Sequence, residues 1–170
     1  MSESYKKLSQ REHVYELPDS YVGSVSSTRV PTFVSPTTST IERSSIEVVP
    51  ALFKIFDEVL VNAVDQHTRQ QGRRKPVTRI DITVTDRKIR VSNDGRGIPI
   101  KKLPEYDNTY APSLIFGELL TSSNYDKRVD KVTGGKNGFG AKLANIFSTM
   151  FRVETVSGSI LEFYRPFAYS

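Results

Sequence analysis

The 170 residues contain no cysteine and only two histidines. Without cysteine there is neither a disulfide nor a thiolate metal site, and a reducing compartment is the easier setting. His13 and His67 alone make a histidine-built zinc site improbable. No apolar run approaches the length of a membrane span, and the opening "MSESYKKLSQREH" lacks the apolar core of a secretory leader. Internal repeats and low-complexity linkers are missing too. What is present suits a globular domain: 37 % hydrophobic and 25 % charged residues exclude a disordered tail, and the length can bury one core. The 24 Lys and Arg outnumber the 19 Asp and Glu by five. That balance leans weakly towards a polyanion, nucleotide phosphates or nucleic acid, and on its own decides nothing.

Local signals give an order of elements. Ser9 can cap a short helix to about Leu17, where Pro18 and Asp19 stop it. Residues 24–40, rich in Ser, Thr and Pro, suggest a loose hairpin near an edge. "IEVVP" leads into a long helix, with Pro50 suited to its first turn and Gly72 just past its end. "TRIDITVT" and "KIRVS" pair as strands across a turn at Asp86 and Arg87. Residues 100–111 read as loop, and "APSLIFGELL" as a helix opened by Pro112. The polar, glycine-punctuated stretch that follows has the length of a functional lid. "AKLANIFS" closes it as a helix, and "FRVETVSGSILEFYR" reads as a hairpin turning at Ser157 and Gly158. Mixed helices and antiparallel strands make an α+β sandwich the natural class.

Three stretches could carry chemistry. In "FDEVLVNAVDQHTR", Glu58, Asn62, Asp65 and Arg69 follow one another at spacings of 4, 3 and 4. At 3.6 residues per turn they share an arc of roughly 60°. Leu52, Phe53, Phe56, Leu60, Ala63 and Val64 form the opposite stripe, expected to face the core. The polar face then meets either water or a ligand. "TGGKNGFGAKL" is a glycine-rich loop running into a helix, suited to cradling an anion, with Lys136 and Lys142 as neutralising charge. Its glycine spacing fits neither a Walker A loop nor a Rossmann turn, so a mobile structural loop stays open beside a nucleotide site. In "SNDGRGIP", Asp94 either marks a turn or accepts from an exocyclic amine such as adenine N6, Gly95 and Gly97 leaving room for the ring.

In this order, "ELPDSYVGSV", "PALFKIFDEVLVNAVD", "VSNDGRGIPI", "LIFGELLTSSNYD" and "VTGGKNGFGAKLANIFS" resemble the amino-terminal ATPase domain of eukaryotic-type DNA topoisomerase II. That domain is similar in fold to gyrase, Hsp90, the histidine kinases and MutL, and the likeness covers roughly residues 5–165. "SSNYD" and "NGFGAKL" point to topoisomerase II rather than to its cousins. The resemblance implies a two-layer α/β sandwich with a mixed, mostly antiparallel sheet. Residues 1–170 would form one nucleotide-binding domain, the transducer and DNA-cleavage domains lying outside it.

By the same resemblance, Glu58 would be the general base for the water attacking the γ-phosphate, and Asn62 a ligand of Mg²⁺. Asp65 and Arg69 would support that face as an ion pair. Asp94 would bind adenine; Ser122, Ser123 and Asn124 would contact ribose and phosphate. Gly135, Lys136, Asn137, Gly138, Phe139, Gly140, Ala141 and Lys142 would wrap the triphosphate of ATP. Tyr5 would reach a second protomer, since the resemblance implies a homodimer that ATP closes around transported DNA. Related sequences commonly carry an arginine before the Pro-Asp of "PDSYVG"; here Leu17 stands there, which leaves any bracing role of that arginine without its residue. The implied activity is ATP hydrolysis driving a DNA gate, in the nucleus if the enzyme is cellular, with a viral source as the other case. An ATP-sensing binding module and an Hsp90-type chaperone are the competing classes. Glu58 argues against the first, and neither "SSNYD" nor "NGFGAKL" fits the second.

Overall fold

A computed structural model of the chain describes residues 6–119 and 139–157. The first helix, α1 (Gln10–Glu16), starts as its sequence dictates. Ser9 Oγ accepts from Glu12 N–H while the Glu12 carboxylate accepts from Ser9 N–H, a reciprocal cap that satisfies two otherwise orphaned donors. A single 3₁₀ turn over Pro18–Ser20 follows.

The hairpin expected within residues 24–40 is longer and lies further on. Strand β1 (Thr28–Thr37) pairs antiparallel with β2 (Thr40–Val48), so "IERSSIEV" is strand rather than a lead-in to the helix. Only Ile46, Glu47 and Val48 alternate apolar with polar, Glu42 to Ser45 form a polar run, and both faces of the ribbon are mostly exposed, so periodicity gives this strand little contrast.

The long helix α2 (Pro50–Gln70) has Pro50 in its first turn and Gly72 at φ +71° beyond its end, the left-handed conformation that glycine adopts without penalty. Strands β3 (Ile80–Val84) and β4 (Ile89–Asn93) form the expected antiparallel pair. Residues 100–111 are more ordered than a loop. A small ladder of β5 (Lys102–Leu103) and β6 (Thr109–Tyr110) encloses a 3₁₀ turn, closed by Asp107 and Asn108, both at positive φ. Helices α3 (Ala111–Gly117), with Pro112 in its first turn, and α4 (Gly140–Ile146) complete the described elements. No strand is present over residues 151–156, and the second arm of the hairpin expected there lies outside the described residues.

The class is α+β, as expected, and every strand pair among the described residues is antiparallel. Among the described residues the strands join two by two, in three separate ladders rather than one mixed sheet. The core lies between α1, α2 and α4: Val14, Val22, Ala51, Leu143 and Ile146 are buried, with Tyr21, Ile55, Phe139 and Phe147 packed round them. The apolar stripe of α2 does not face this core as a whole. Ala63 is buried, but Leu52, Phe53 and Val64 are 56 %, 67 % and 46 % exposed. Periodicity identifies an apolar face and says nothing of what covers it. No helix among the described residues is long and apolar enough to cross a membrane.

Candidate nucleotide site

Helix α2 packs against α4 and β4, so its polar residues meet the two glycine-bearing segments singled out in the sequence. Glu58 lies midway along it. Its Oε1 accepts an ion pair from Lys54 Nζ at 2.6 Å, one turn earlier, and Lys54 is held above the ordinary lysine range chiefly by that bond. One turn later, Asn62 Nδ2 donates to the Glu58 carbonyl at 2.6 Å, which fixes the amide and leaves its oxygen without a partner among the described residues. A Cβ on Gly140, the first residue of α4, would lie 2.5 Å from Glu58 Oε2 and 3.3 Å from Asn62 Nδ2. Only glycine lets α4 begin this close to the pair. Glu58, Asn62 and Gly140, separated by up to 82 positions, therefore converge on one spot.

Further along the same face Asp65 is buried, and its carboxylate lies 4.0 Å from Arg69, the pairing that the spacing predicts. The last turn of α2 clamps the Asp-Gly-Arg-Gly segment. The Gln70 amide both donates to Arg96 C=O at 2.8 Å and accepts from Arg96 N–H at 3.0 Å, while Gln66 donates to the same carbonyl at 3.3 Å. Gln70 is buried, so this two-point bond satisfies a side chain that would otherwise be costly to bury. His67 Nδ1 reaches Val77 C=O at 2.8 Å, anchoring the approach to β3.

Asp94 sits at the end of β4 with its carboxylate exposed. Its Oδ1 accepts from the backbone N–H of Thr78 at 2.8 Å and of Arg79 at 2.9 Å, and its Oδ2 from the Thr78 hydroxyl. These bonds, the Thr78 hydroxyl first, hold its carboxyl well below the usual carboxylate range. A depressed carboxyl adds stability that is present above its unfolded value, near 3.9, and lost as pH falls through the folded value. Asp94 thus stays ionised under any physiological condition, with lone pairs left over for a donor beyond Thr78 and Arg79.

The two glycines after it do not leave room for a ring, as the sequence suggested. A Cβ on Gly95 would run into Val77 and the Gln70 amide, and one on Gly97 into the Val156 carbonyl and Thr155 Oγ1. Protein atoms fill both spaces, and Thr155 Oγ1 also accepts from Ile98 N–H at 2.8 Å. These glycines serve close packing of the loop on its neighbours.

The glycine loop's described end splits by role. Gly140 faces Glu58. Phe139 and Ala141 turn into the core, Phe139 lying 5.9 Å from the ring of Tyr21, so their side chains do not face Glu58. Lys142 is buried, which pushes its ammonium down to about 8, with Glu118 opposing the shift. It lines a pocket of about 370 Å³ with Ser9, Gln10, Gly117, Glu118 and Leu119, not with Glu58 or Asn62. Ser122, Ser123, Asn124, Gly135, Lys136, Asn137, Gly138 and Tyr5 lie outside the described residues. Lys54, Thr78 and Gln70 were not singled out beforehand. Only Lys54 carried a local signal, four residues before Glu58.

Comparison with known proteins identifies the family. Residues 47–167 match the family described as histidine kinase-, DNA gyrase B- and HSP90-like ATPases. The DNA topoisomerase 2 of Candida albicans is 48 % identical over 165 residues, 96 % of this chain and 11 % of that protein. The Saccharomyces cerevisiae enzyme is 45 % identical over 166 residues, again 11 % of its length, so the chain spans about a tenth of the curated relatives it matches. Among solved structures, the ATPase region of S. cerevisiae topoisomerase II is similar with a TM-score of 0.82 at 47 % identity, over 90 % of this chain and 40 % of that one. The ATPase and transducer domains of Balamuthia mandrillaris topoisomerase II give 0.82 at 46 %, over 90 % and 38 %. With more than half of its residues matched, the chain belongs to the histidine kinase-, DNA gyrase B- and HSP90-like ATPase family and is homologous to the ATPase region of the type II DNA topoisomerases.

Proposed function

We propose that this chain is the nucleotide-binding module of a type II DNA topoisomerase, binding ATP between α2 and α4 and hydrolysing it to drive a dimeric DNA gate. The observation that carries the reading is the meeting of Glu58, Asn62 and Gly140. Hydrolysis of a phosphoanhydride needs a positioned base, an electrophilic partner for the phosphate oxygens and room for the phosphate. Glu58 is the base: Lys54 holds one carboxylate oxygen, and the other points at the start of α4, where the terminal phosphate would lie. Asn62 suits Mg²⁺, a hard cation that takes one or two protein oxygens, keeps several waters and shares the substrate's phosphates. Its amide nitrogen is engaged by the Glu58 carbonyl, while its oxygen has no partner among the described residues. The metal, when bound, would neutralise charge developing on the phosphates.

Asp94 is the adenine contact in this reading, with Thr78 and Arg79 fixing the carboxylate that accepts from the exocyclic amine. Asp94→Ala is expected to weaken ATP binding about tenfold or more, the worth of a charged hydrogen bond, and to blunt preference for adenine over guanine nucleotides. Calorimetry showing both unchanged would remove Asp94 from the site.

Eukaryotic relatives support a nuclear parent enzyme, with a viral source as the other case, acting on DNA as a homodimer closed by ATP. The 170 residues cover two-fifths of the homologous ATPase-region structure. Taken alone they are expected to bind ATP weakly and turn it over little, because the resemblance puts a lysine that contacts the γ-phosphate in the domain that follows. The test is a steady-state ATPase assay on this chain beside one extended through that domain. Markedly higher turnover in the longer protein supports the reading. Equal turnover would show that the site is already complete within these residues.

A further inference from the structure

The positive charge of the chain is not spread over it. Residues 69–102 hold eleven Lys and Arg against three Asp, a net +8 in a chain of net +5, so all other residues together carry −3. The three Asp are already engaged. Asp81 pairs with Arg79 at 2.9 Å, Asp86 with Arg87 at 3.6 Å, and Asp94 with Thr78 and the backbone of Arg79. Arg73, Arg74, Lys75, Lys88, Arg90 and Arg96 are exposed, and none of them has an ion pair among the described residues.

The fold gathers these cations. Arg73 N–H donates to Gln70 C=O at 3.0 Å as α2 ends, and Arg96 N–H lies 3.3 Å from Lys75 C=O, which brings the loop after α2 against the Asp-Gly-Arg-Gly segment. Asp94 N–H then bonds Arg79 C=O at the start of β3. In the β3–β4 ladder Arg90 stands opposite Thr83, and Asp81 opposite Ser92. Arg79, Arg90 and Lys88 therefore share the polar face, while Ile82, Val84 and Ile89 point to the other. One or two cations would suffice to offset the dipole at the end of α2. Six unpaired ones cost mutual repulsion with nothing in the described fold to relieve it.

We propose that this strip, from the end of α2 along the polar face of the β3–β4 hairpin, grips the phosphate backbone of duplex DNA without reading its sequence. The choice of DNA rests on the topoisomerase reading above; the presence of a polyanion rests on the charge alone. Arginine predominates, the residue suited to bidentate phosphate contacts, and backbone contacts position a duplex without specifying bases. The strip is separate from the nucleotide phosphates: Gln70 lies eight residues past Asn62, about 12 Å along the helix. An anionic membrane fits less well, because the hairpin's apolar side chains lie on the face away from the cations and cannot anchor beside them.

The test is fluorescence anisotropy of a short labelled DNA duplex with this chain, at salt from about 50 mM to about 200 mM. Four to six phosphate contacts predict a fall in affinity of about 10²–10³ across that range. Arg73→Glu, Arg74→Glu, Lys88→Glu and Arg90→Glu together should abolish measurable binding at the higher salt and flatten the slope. The same four positions changed to Gln, a milder set for the fold, should weaken binding at least tenfold with the melting temperature retained. A control with equal charge change, Lys6→Glu, Lys7→Glu, Arg29→Glu and Arg43→Glu, should keep most of the affinity. Equal loss in the control, no duplex binding at the lowest salt, or tighter binding to duplex RNA or phosphatidylserine vesicles would overturn the proposal. ATP binding, measured on the same proteins, should not change. Failure of the wild-type chain to bind ATP while it still binds DNA through the strip would sink the nucleotide-site reading and leave this surface standing.

Discussion

Glu58→Gln in the complete enzyme is expected to bind ATP normally and to hydrolyse it about 10²–10⁴-fold more slowly. Glutamine keeps the size of the side chain and can still hydrogen-bond, so the nucleotide loses little on binding. What it cannot do is accept a proton from water. Lys54 sharpens the comparison, because it holds one carboxylate oxygen at 2.6 Å and leaves the second at the edge of Gly140. The amide in its place turns a donor towards Lys54 or towards the phosphate, and either orientation removes the base. Single-turnover hydrolysis and ATP affinity, measured side by side, separate the two effects. Undiminished turnover would mean that another group activates the water.

Gly140→Ala is the second large effect, and it isolates position from chemistry. Alanine is a better helix former than glycine, so α4 gains slightly in local preference. The new Cβ would lie 2.5 Å from Glu58 Oε2, which is the far end of a flexible side chain and can yield. The carboxylate, rather than the fold, gives way. A displacement of about 1 Å at a reacting group costs on the order of 10²-fold in rate, and the melting temperature should hardly move. The contrast is Gly97→Ala, where the Cβ would meet the backbone carbonyl of Val156, which cannot step aside. There stability falls, by about 1–3 kcal/mol for an overpacked site. If Gly140→Ala hydrolysed ATP at the wild-type rate, Glu58 would not be working from the position seen here.

Local sequence carried the elements whose causes are local. Pro50 and Gly72 bracket α2 as expected, Ser9 and Glu12 cap α1, and the alternation in "RIDITV" and "KIRVS" makes the β3–β4 pair. The polar face of α2 was legible for the same reason, and its spacing put Asp65 against Arg69 and Asn62 on the carbonyl of Glu58. Contacts between distant positions left no such trace. Gln70 meets Arg96 across 26 residues, Thr78 meets Asp94 across 16, and neither pair forms a pattern that periodicity detects. Gly95 and Gly97 read as spacious because glycine is small, yet the folded chain fills that space with its own atoms. Lys142 shows the same limit: its place after the glycines suggested phosphate, while the rotation of α4 sends the side chain towards Glu118 and the start of α1.

The central claim is that the polar face of α2 is turned to a nucleotide. Calorimetric titration of the chain with ATP, with and without Mg²⁺, beside Asn62→Ala, tests it most directly. The expected result is saturable one-to-one binding that Mg²⁺ strengthens in the wild-type chain and does not strengthen in Asn62→Ala. The same response to Mg²⁺ in both proteins would contradict it.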